Sequence, residues 1–470
     1  VYGLAVTERR VKMNYDTALR AYTSKRVEEI ESADILVGIP CYNNEKTIAH
    51  VIQMVTHGLA KHYKNQRSVI FVADGGSTDD TREAARDFEI KPWQEKIVSI
   101  YRGPAGKGTA LRSLFEAADR LKVHVCGMVD SDLRSITADW VKYLLDPVLE
   151  NGYQFVAPVY MRHKYDGTIT NNIVYNLTRA LYGKRIRQPI GGDFAISRDV
   201  AKFYAEQDVW ATDVARYGID IWMTTNAVTQ GFRMCQSNLG AKIHDVKDPG
   251  QHLGPMFRQV LSALFSFMER FEAYWKGVKG SEPLETFGFE GKLQPEPVNV
   301  NLELMIELFK TGYQQFSPLW KGILSESSFR QISETAKKDP KEFRLPTESW
   351  VQILYELAAT FHLWTMNRDK LLDMMTPLYF GRVASFVRQS WEMSSEEAEA
   401  LVEEQAIEFE EQKDYLIKVW DQKSAEKAKA KSRAFVLTNH SSPQSTLIFG
   451  GGPGGGPIGQ FDRDKDGKVD

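Results

Sequence analysis

Between residues 33 and 245, short β-branched runs alternate with amphipathic stretches, and no other feature of the chain constrains its fold as much. "DILVGIP" has the composition of a buried strand, and "KTIAHVIQMVTHGLAKHY" repeats apolar residues near i, i+3 and i+4, as a helix does. "SVIFVAD", "GSTDDTREAARDF", "KIVSIYR", "GTALRSLFEAADRL" and "VHVCGMVDSD" continue the rhythm. Acids in the first turn of "GSTDDTREAARDF" suit a helix start, because they complement the dipole. Repetition of this kind predicts an α/β fold with a doubly wound, mostly parallel sheet. Ligands on such sheets bind at the carboxyl ends of the strands, where the Asp-rich loops of this sequence fall.

The rhythm stops at "KGSEPLETFGFEGKLQPEPVNVN" (279–301), a Pro- and Gly-rich stretch without periodicity that reads as a linker or an ordered crossing segment. Helical stripes follow in "LELMIELFKTGYQQF", "SWVQILYELAATFHLW" and "SSEEAEALVEEQAIEFEEQKDYLIKVW". Ser394 and Ser395 precede Glu396 and Glu397, an N-cap with an acidic first turn. The expected organisation is an N-terminal arm (1–32), an α/β domain (33–278), the linker (279–301), a helical C-terminal domain (302–432) and a flexible Gly-rich tail (433–470). In the tail, Asp462, Asp464, Asp466, Gly467 and Asp470 match the opening positions of an EF-hand-like calcium loop without its closing Glu, so a solvated charged tail is expected.

Composition narrows the class. Of 470 residues, 43% are hydrophobic and 26% charged, the balance of a soluble globular protein, and a net charge of −3 with mixed signs argues against nucleic acid as a partner. Cys41, Cys126 and Cys235 lie far apart without metal-ligand spacing, as expected for buried thiols in a reducing compartment. No apolar run reaches the roughly 18–20 residues of a membrane span, and the charged N-terminus is unlike a secretory signal. A cytoplasmic location is therefore expected.

"VHVCGMVDSD" ends in two carboxylates one residue apart, an arrangement that is costly unless something positive sits between them. Side chains two apart on a strand share a face, so Asp130 and Asp132 can jointly hold a Mg²⁺ or Mn²⁺ ion that keeps positions free for phosphate oxygens. Three other loops keep this pair company. "GIPCYNNEKTI" places Pro40, Asn43 and Glu45 past the first strand, "VADGGSTDDT" places Asp74 at the end of the second, and "GPAGKGTA" sets Lys107 between glycines.

These segments, in this order, resemble the nucleotide-binding half of GT-A glycosyltransferases through their P-x-x-N-E, D-x-G-S-x-D and D-x-D elements. "RQPIGGDFAIS", "RYGIDIWM" and "LGAKIHDVKD" resemble the acceptor half of glucosyl-3-phosphoglycerate and mannosylglycerate synthases, which retain anomeric configuration. The resemblance spans residues 33–275 and implies a nucleoside-diphosphate sugar (UDP- or GDP-glucose or -mannose) as donor, and glycerate or 3-phosphoglycerate as acceptor. It further implies that Pro40, Asn43, Glu45, Asp74, Lys107, Asp130 and Ser131 bind the nucleotide sugar. Asp132, His244 and Asp130 would serve the metal, and Arg162, Thr170, Gly191, Gly192 and Asp220 the acceptor. Asp220 and Lys107 would carry the catalytic roles.

The planar fork of Arg162 suits a carboxylate. Asp245 and Asp248 beside His244 oppose a dianionic phosphate and favour free glycerate, although His163, Lys164 and Arg187 are candidates for a phosphate site. The helical domain is expected to cover the acceptor pocket or to build a homo-oligomer interface. Two rival readings, a GT-A transferase acting on a polysaccharide or lipid-linked acceptor and a nucleotidyltransferase, share the nucleotide-binding expectation. A non-catalytic scaffold does not.

Overall fold

The structure is a computed structural model that describes residues 15–243, 249–291, 293–364 and 367–439. His244 and the acidic motif at 462–470 lie outside the described residues. Two compact units are present, Val1–Ser424 and Ala425–Asp470. In the second, the described residues are helical.

The strands are β1 (Ile35–Cys41), β2 (Ser68–Asp74), β3 (Gln94–Ile100), β4 (Val125–Met128), β5 (Phe155–Met161), β6 (Lys184–Arg185), β7 (Phe194–Ser197), β8 (Met234–Ala241), β9 (Glu282–Pro283) and β10 (Thr286–Gly288). The helices of the α/β part are α1 (Ala21–Ile30), α2 (Ile48–His62), α3 (Thr81–Asp87), α4 (Lys107–Arg120), α5 (Ala138–Leu149), α6 (Tyr175–Tyr182), α7 (Arg198–Ala205), α8 (Ile219–Thr229), α9 (Pro249–Arg270) and α10 (Glu272–Gly277). The helical part comprises α11 (Leu302–Ile323), α12 (Glu326–Lys337), α13 (Thr347–Leu363), α14 (Arg368–Gln389), α15 (Ser395–Glu411) and α16 (Lys413–Asn439).

One sheet runs β10-β8-β5-β7-β4-β1-β2-β3, parallel except for β7, which pairs antiparallel with both β4 and β5. Strands β1 and β2 are buried at every position because helices cover both faces, which is why they read as unbroken apolar runs. From β1 the chain builds outward to β2 and β3 on one side and crosses to β4 on the other, so the strand order reverses between β1 and β4. The carboxyl-end crevice at such a reversal is the general ligand position of doubly wound sheets. The mostly parallel α/β architecture and the helical C-terminal region are those expected for a GT-A fold.

Two expectations change, and one of two open readings is chosen. Strand β4 ends at Met128, so Asp130 and Asp132 lie in a turn beyond it, and strand alternation does not orient them. The ladder stops because the carboxylate of Asp193, just before β7, accepts the Asp130 N–H at 2.7 Å. The described residues of the 279–301 stretch include β10, which joins the sheet beside β8, as a crossing segment does. The long helical stripe from Ser395 is two helices meeting at Gln412, the first opened by the expected cap, a reciprocal Ser394–Glu397 capping box.

The helical part shares its core with the α/β part. One apolar cluster runs from Phe71 and Leu114 through Trp222 to Trp350, Phe361 and Tyr379. Among the described residues no helix is long and apolar enough to cross a membrane.

Candidate active site

Three loops at the carboxyl ends of β1, β2 and β4 are stitched together. After β1, Asn43 adopts a left-handed conformation (φ 53°), donates its N–H to Ser77 Oγ (2.9 Å) and accepts from Thr78 N through Oδ1 (2.9 Å). Glu45 N donates to Asp79 Oδ2 at 3.2 Å, and Asp80 N donates to Glu45 Oε2 at 3.3 Å. The third loop joins through Ser131, whose hydroxyl donates to Asn44 Oδ1 (2.8 Å) and whose carbonyl accepts from Thr47 Oγ1 (2.8 Å). Asn43 and Glu45 are exposed at this mouth, whereas Pro40 is buried inside β1 opposite Ala73.

Asp74 is fully buried and organises its own turn. Its carboxylate accepts from Gly76 N (2.9 Å), Ser77 N (3.0 Å) and the Ser77 hydroxyl, with Arg82 Nε 3.6 Å away. These donors fix the carboxylate in one orientation inside the turn.

The centre of the site is a charge cluster. Helix α4 starts at Lys107, because Gly106 caps it and lies against Ala215 and Arg216 with no room for a Cβ. The Lys107 ammonium lies 2.8 Å from Asp130 Oδ1, 3.2 Å from the Gly192 carbonyl and 3.4 Å from Asp220. Lys242, just past β8, approaches Asp130 Oδ2 (2.9 Å), Asp193 Oδ2 (3.1 Å) and the Gly191 carbonyl (2.9 Å). Tyr160 donates its hydroxyl to Asp193 Oδ2. Burial disfavours each charge, but Lys107 and Lys242 together hold Asp130 well below the usual carboxylate range. Asp130 and Asp220 in turn outweigh burial at Lys107 and keep it above the usual lysine range. At Asp193 and Asp220 burial wins, and both are raised.

Two ammonium groups thus face three carboxylates, Asp130, Asp193 and Asp220, which leaves one negative charge in excess. Asp220 lies in the first turn of α8, and its buried Oδ1 receives no hydrogen bond from a described residue. The same oxygen lies 3.4 Å from the Lys107 ammonium, an ion pair that leaves it room to accept a shorter hydrogen bond from a ligand.

The second wall hangs from β5. Arg162 lies over the Tyr160 ring (5.0 Å) and donates Nη1 to Asp166 Oδ2 (3.3 Å), while its buried Nε has no hydrogen-bond acceptor among the described residues. Thr170 opens a π-helical turn, Thr170–Val174, that runs into α6. Single π turns of this kind occur often at functional sites. Gly191 packs against Pro158 where a Cβ would collide, and Gly192 has φ 94° with its hydrogen against Asp130 Oδ2.

The structure therefore brings Lys107, Asp130, Asp220, Gly191 and Gly192 into one cluster, with Arg162 joined to it through Tyr160. Both oxygens of Asp130, expected to serve a metal, are engaged by the Lys107 and Lys242 ammonium groups. Asp132 is half-buried and forms no hydrogen bond or ion pair with a described residue, and no three Asp, Glu, His or Cys side chains converge on a metal position among the described residues. The phosphate site considered at Lys164 and Arg187 is also spent. Lys164 donates to the carbonyls of Ser390, Trp391 and Met393 at the end of α14, and Arg187 pairs with Glu399.

Lys242, Asp193 and Tyr160 were not singled out from sequence. Their signal was available, since two close aspartates demand positive partners and "GGDF" and "GAKI" each set one charge at the end of a buried strand.

Residues 36–202, about a third of the chain, match the family model described as Glycosyl transferase family 2. Glycosyltransferase AglJ of Haloferax volcanii is 29% identical over 167 residues, 34% of this chain and 49% of that protein, so the chain spans about half the length of this curated relative. Among solved structures, glucosyl-3-phosphoglycerate synthase from Mycobacterium tuberculosis with Mn²⁺, UDP and glucosyl-3-phosphoglycerate is 25% identical. The alignment covers 53% of this chain and 85% of that chain, with a TM-score of 0.40. The same enzyme with Mg²⁺ and UDP is also 25% identical, over 51% of this chain and 82% of that one, with a TM-score of 0.40.

Proposed function

We propose that the protein is a hexosyltransferase that moves glucose or mannose from a nucleoside-diphosphate sugar to a small carboxylate-bearing alcohol, glycerate or 3-phosphoglycerate, with retention at the anomeric carbon. The observation that carries this reading is the Lys107 ammonium, placed between Asp130 and Asp220 at the crevice where the sheet reverses. Interlocked loops after β1, β2 and β4 offer the nucleotide a preformed floor, and Asp130 presents a fixed carboxylate toward sugar hydroxyls. Asp220 Oδ1, which faces Lys107 but accepts no hydrogen bond from a described residue, suits a hydroxyl donor, and the Arg162 Nε, without an acceptor among the described residues, suits the acceptor's carboxylate.

A divalent cation, Mg²⁺ or Mn²⁺, fits beside Asp132. The excess negative charge of the cluster and the free carboxylate of Asp132 favour it, and diphosphate oxygens, water and His244 would complete the shell. When bound, it supplies charge to offset the leaving diphosphate. The residues do the rest: Lys107 fixes Asp130 and Asp220 relative to one another, and Asp220 orients a hydroxyl. The anomeric C–O bond to phosphate breaks as the acceptor oxygen bonds to the same face, and the acceptor proton passes to the departing phosphate oxygen.

With Lys164 and Arg187 committed elsewhere, glycerate is favoured over 3-phosphoglycerate. A panel of UDP- and GDP-sugars against both acceptors tests the proposal. Turnover with one donor and glycerate is expected, and no sugar-nucleotide consumption with any donor, with or without acceptor, would overturn it.

A further inference from the structure

The segment between Arg162 and the π turn takes its shape from the helical part of the chain. A π turn leaves backbone carbonyls off the regular ladder, and buried carbonyls must find other donors. Two of them find side chains of distant helices: Gln405 Nε2 of α15 donates to Asn171 O (2.7 Å), and Trp350 Nε1 of α13 donates to Asn172 O (2.9 Å). The Asn171 side chain is held at both ends. Its Oδ1 accepts from Arg187 Nη2 (2.8 Å), itself paired with Glu399 of α15, and its Nδ2 donates to the Asp166 carbonyl (3.2 Å). Asp166 in turn accepts from Arg162. Farther along, Thr168 and Tyr379 of α14 share a hydrogen bond of 2.6 Å between their hydroxyls. Asn171, Gln405 and Glu399 touch none of the charge cluster, yet they fix the backbone that carries Arg162 and Thr170.

We propose that Asn171 is a positioning residue for the acceptor, clamped by Gln405 and by the Arg187–Glu399 pair, so that helix α15 sets which acceptor the α/β domain takes. This inference rests on the proposed hexosyl transfer, because it needs Arg162 and Thr170 to meet the acceptor. The donor loops after β1, β2 and β4 make none of these contacts. Loosening the clamp should therefore separate acceptor binding from donor chemistry.

The test compares Gln405→Met and Trp350→Phe, each of which removes one N–H donor while keeping most of the volume, with the unaltered chain. Two rates are read: sugar-nucleotide hydrolysis without acceptor, and transfer at varied glycerate. The expected result is hydrolysis within about twofold of the unaltered chain, with KM for glycerate raised about tenfold by Gln405→Met. Glu399→Gln, which weakens the hold on Arg187, should shift KM in the same direction. Hydrolysis and transfer falling in parallel would overturn the proposal, because that pattern marks general loosening of the fold. An unchanged KM in both Gln405→Met and Glu399→Gln would also overturn it. An unaltered chain that hydrolyses no sugar nucleotide and makes no glycoside is a distinct result and counts against the function itself.

Discussion

The Lys242 ammonium lies 2.9 Å from Asp130 Oδ2 and 3.1 Å from Asp193 Oδ2, and so joins the turn after β4 to the strand that runs antiparallel beside it. Lys242 is almost wholly buried, so these charges meet with little solvent screening. Removing one partner of such a cluster strands the others. Lys242→Met should destabilise the fold by about 3–5 kcal/mol, seen as a lower midpoint in urea. Lys242→Met combined with Asp193→Asn should cost less than the sum of the two single changes, because both break one network. A loss below about 1 kcal/mol for Lys242→Met would show that solvent or a neighbour replaces the lysine.

Gly192 gives a sharper local test. Its φ of 94° is left-handed, and a Cβ there would run into Asp130 Oδ2. Gly231 shares the left-handed backbone (φ 72°) but has nothing within 4 Å of its would-be Cβ. Gly231→Ala should therefore cost only the conformational penalty, about 1 kcal/mol. Gly192→Ala should cost more and also displace Asp130, lowering donor hydrolysis at least tenfold beyond any effect of Gly231→Ala. Equal effects on stability and hydrolysis in the two variants would mean that Asp130 can move aside freely.

The pattern of strands and helices was legible because each element carries its own period. The all-apolar runs of β1 and β2 and the 3.6-residue stripe of α2 specify themselves, and the loops between them carry their chemistry at strand ends. The clamp on Asp130 was not legible in this way. Asp193 and Lys242 stand more than 60 residues from Asp130, since the Asp193 contact spans 63 and the Lys242 contact 112. Only the insertion of antiparallel β7 between β4 and β5 makes them neighbours. The two close acids pointed to a positive partner; the structure gives two lysines to Asp130 and none to Asp132 among the described residues. For the same reason Lys164 and Arg187 looked available, because their partners just past α14 and on α15 lie over 200 residues away.

The division of labour between the two aspartates of the D-x-D element can be measured directly. Asp130 has both oxygens engaged by ammonium groups, whereas Asp132 is free among the described residues. If a divalent ion binds here, Asp132→Ala should weaken Mn²⁺ binding in the presence of UDP by at least about tenfold, since even outer-sphere partners of a metal cost that much. Asp130→Asn should leave Mn²⁺ binding within a fewfold and act on donor turnover instead. Calorimetric titration of Mn²⁺ into the protein with UDP reads both. The reverse pattern would return the metal to Asp130 and require its lysine pairs to open on binding.

A last prediction concerns pH and lies far from the site. Lys413 begins α16 and donates to the carbonyl of Val278 at 2.7 Å. Burial, aided by the charge of Lys279, lowers its pKa from 10.5 to about 8. A lysine depressed in the folded state binds its proton less tightly there than in the unfolded chain, so between about pH 8 and 10.5 the unfolded state holds more protons. Stability then rises with pH across that window, and the cost of burying the charge is fully present below it. Lys413→Met removes the titrating group. The difference in unfolding free energy between the unaltered chain and Lys413→Met, measured in urea from pH 7 to 10.5, should therefore move in favour of the unaltered chain as pH rises above about 8. A difference that stays flat would place Lys413 in contact with solvent, with its carbonyl bond too weak to hold it in the interior.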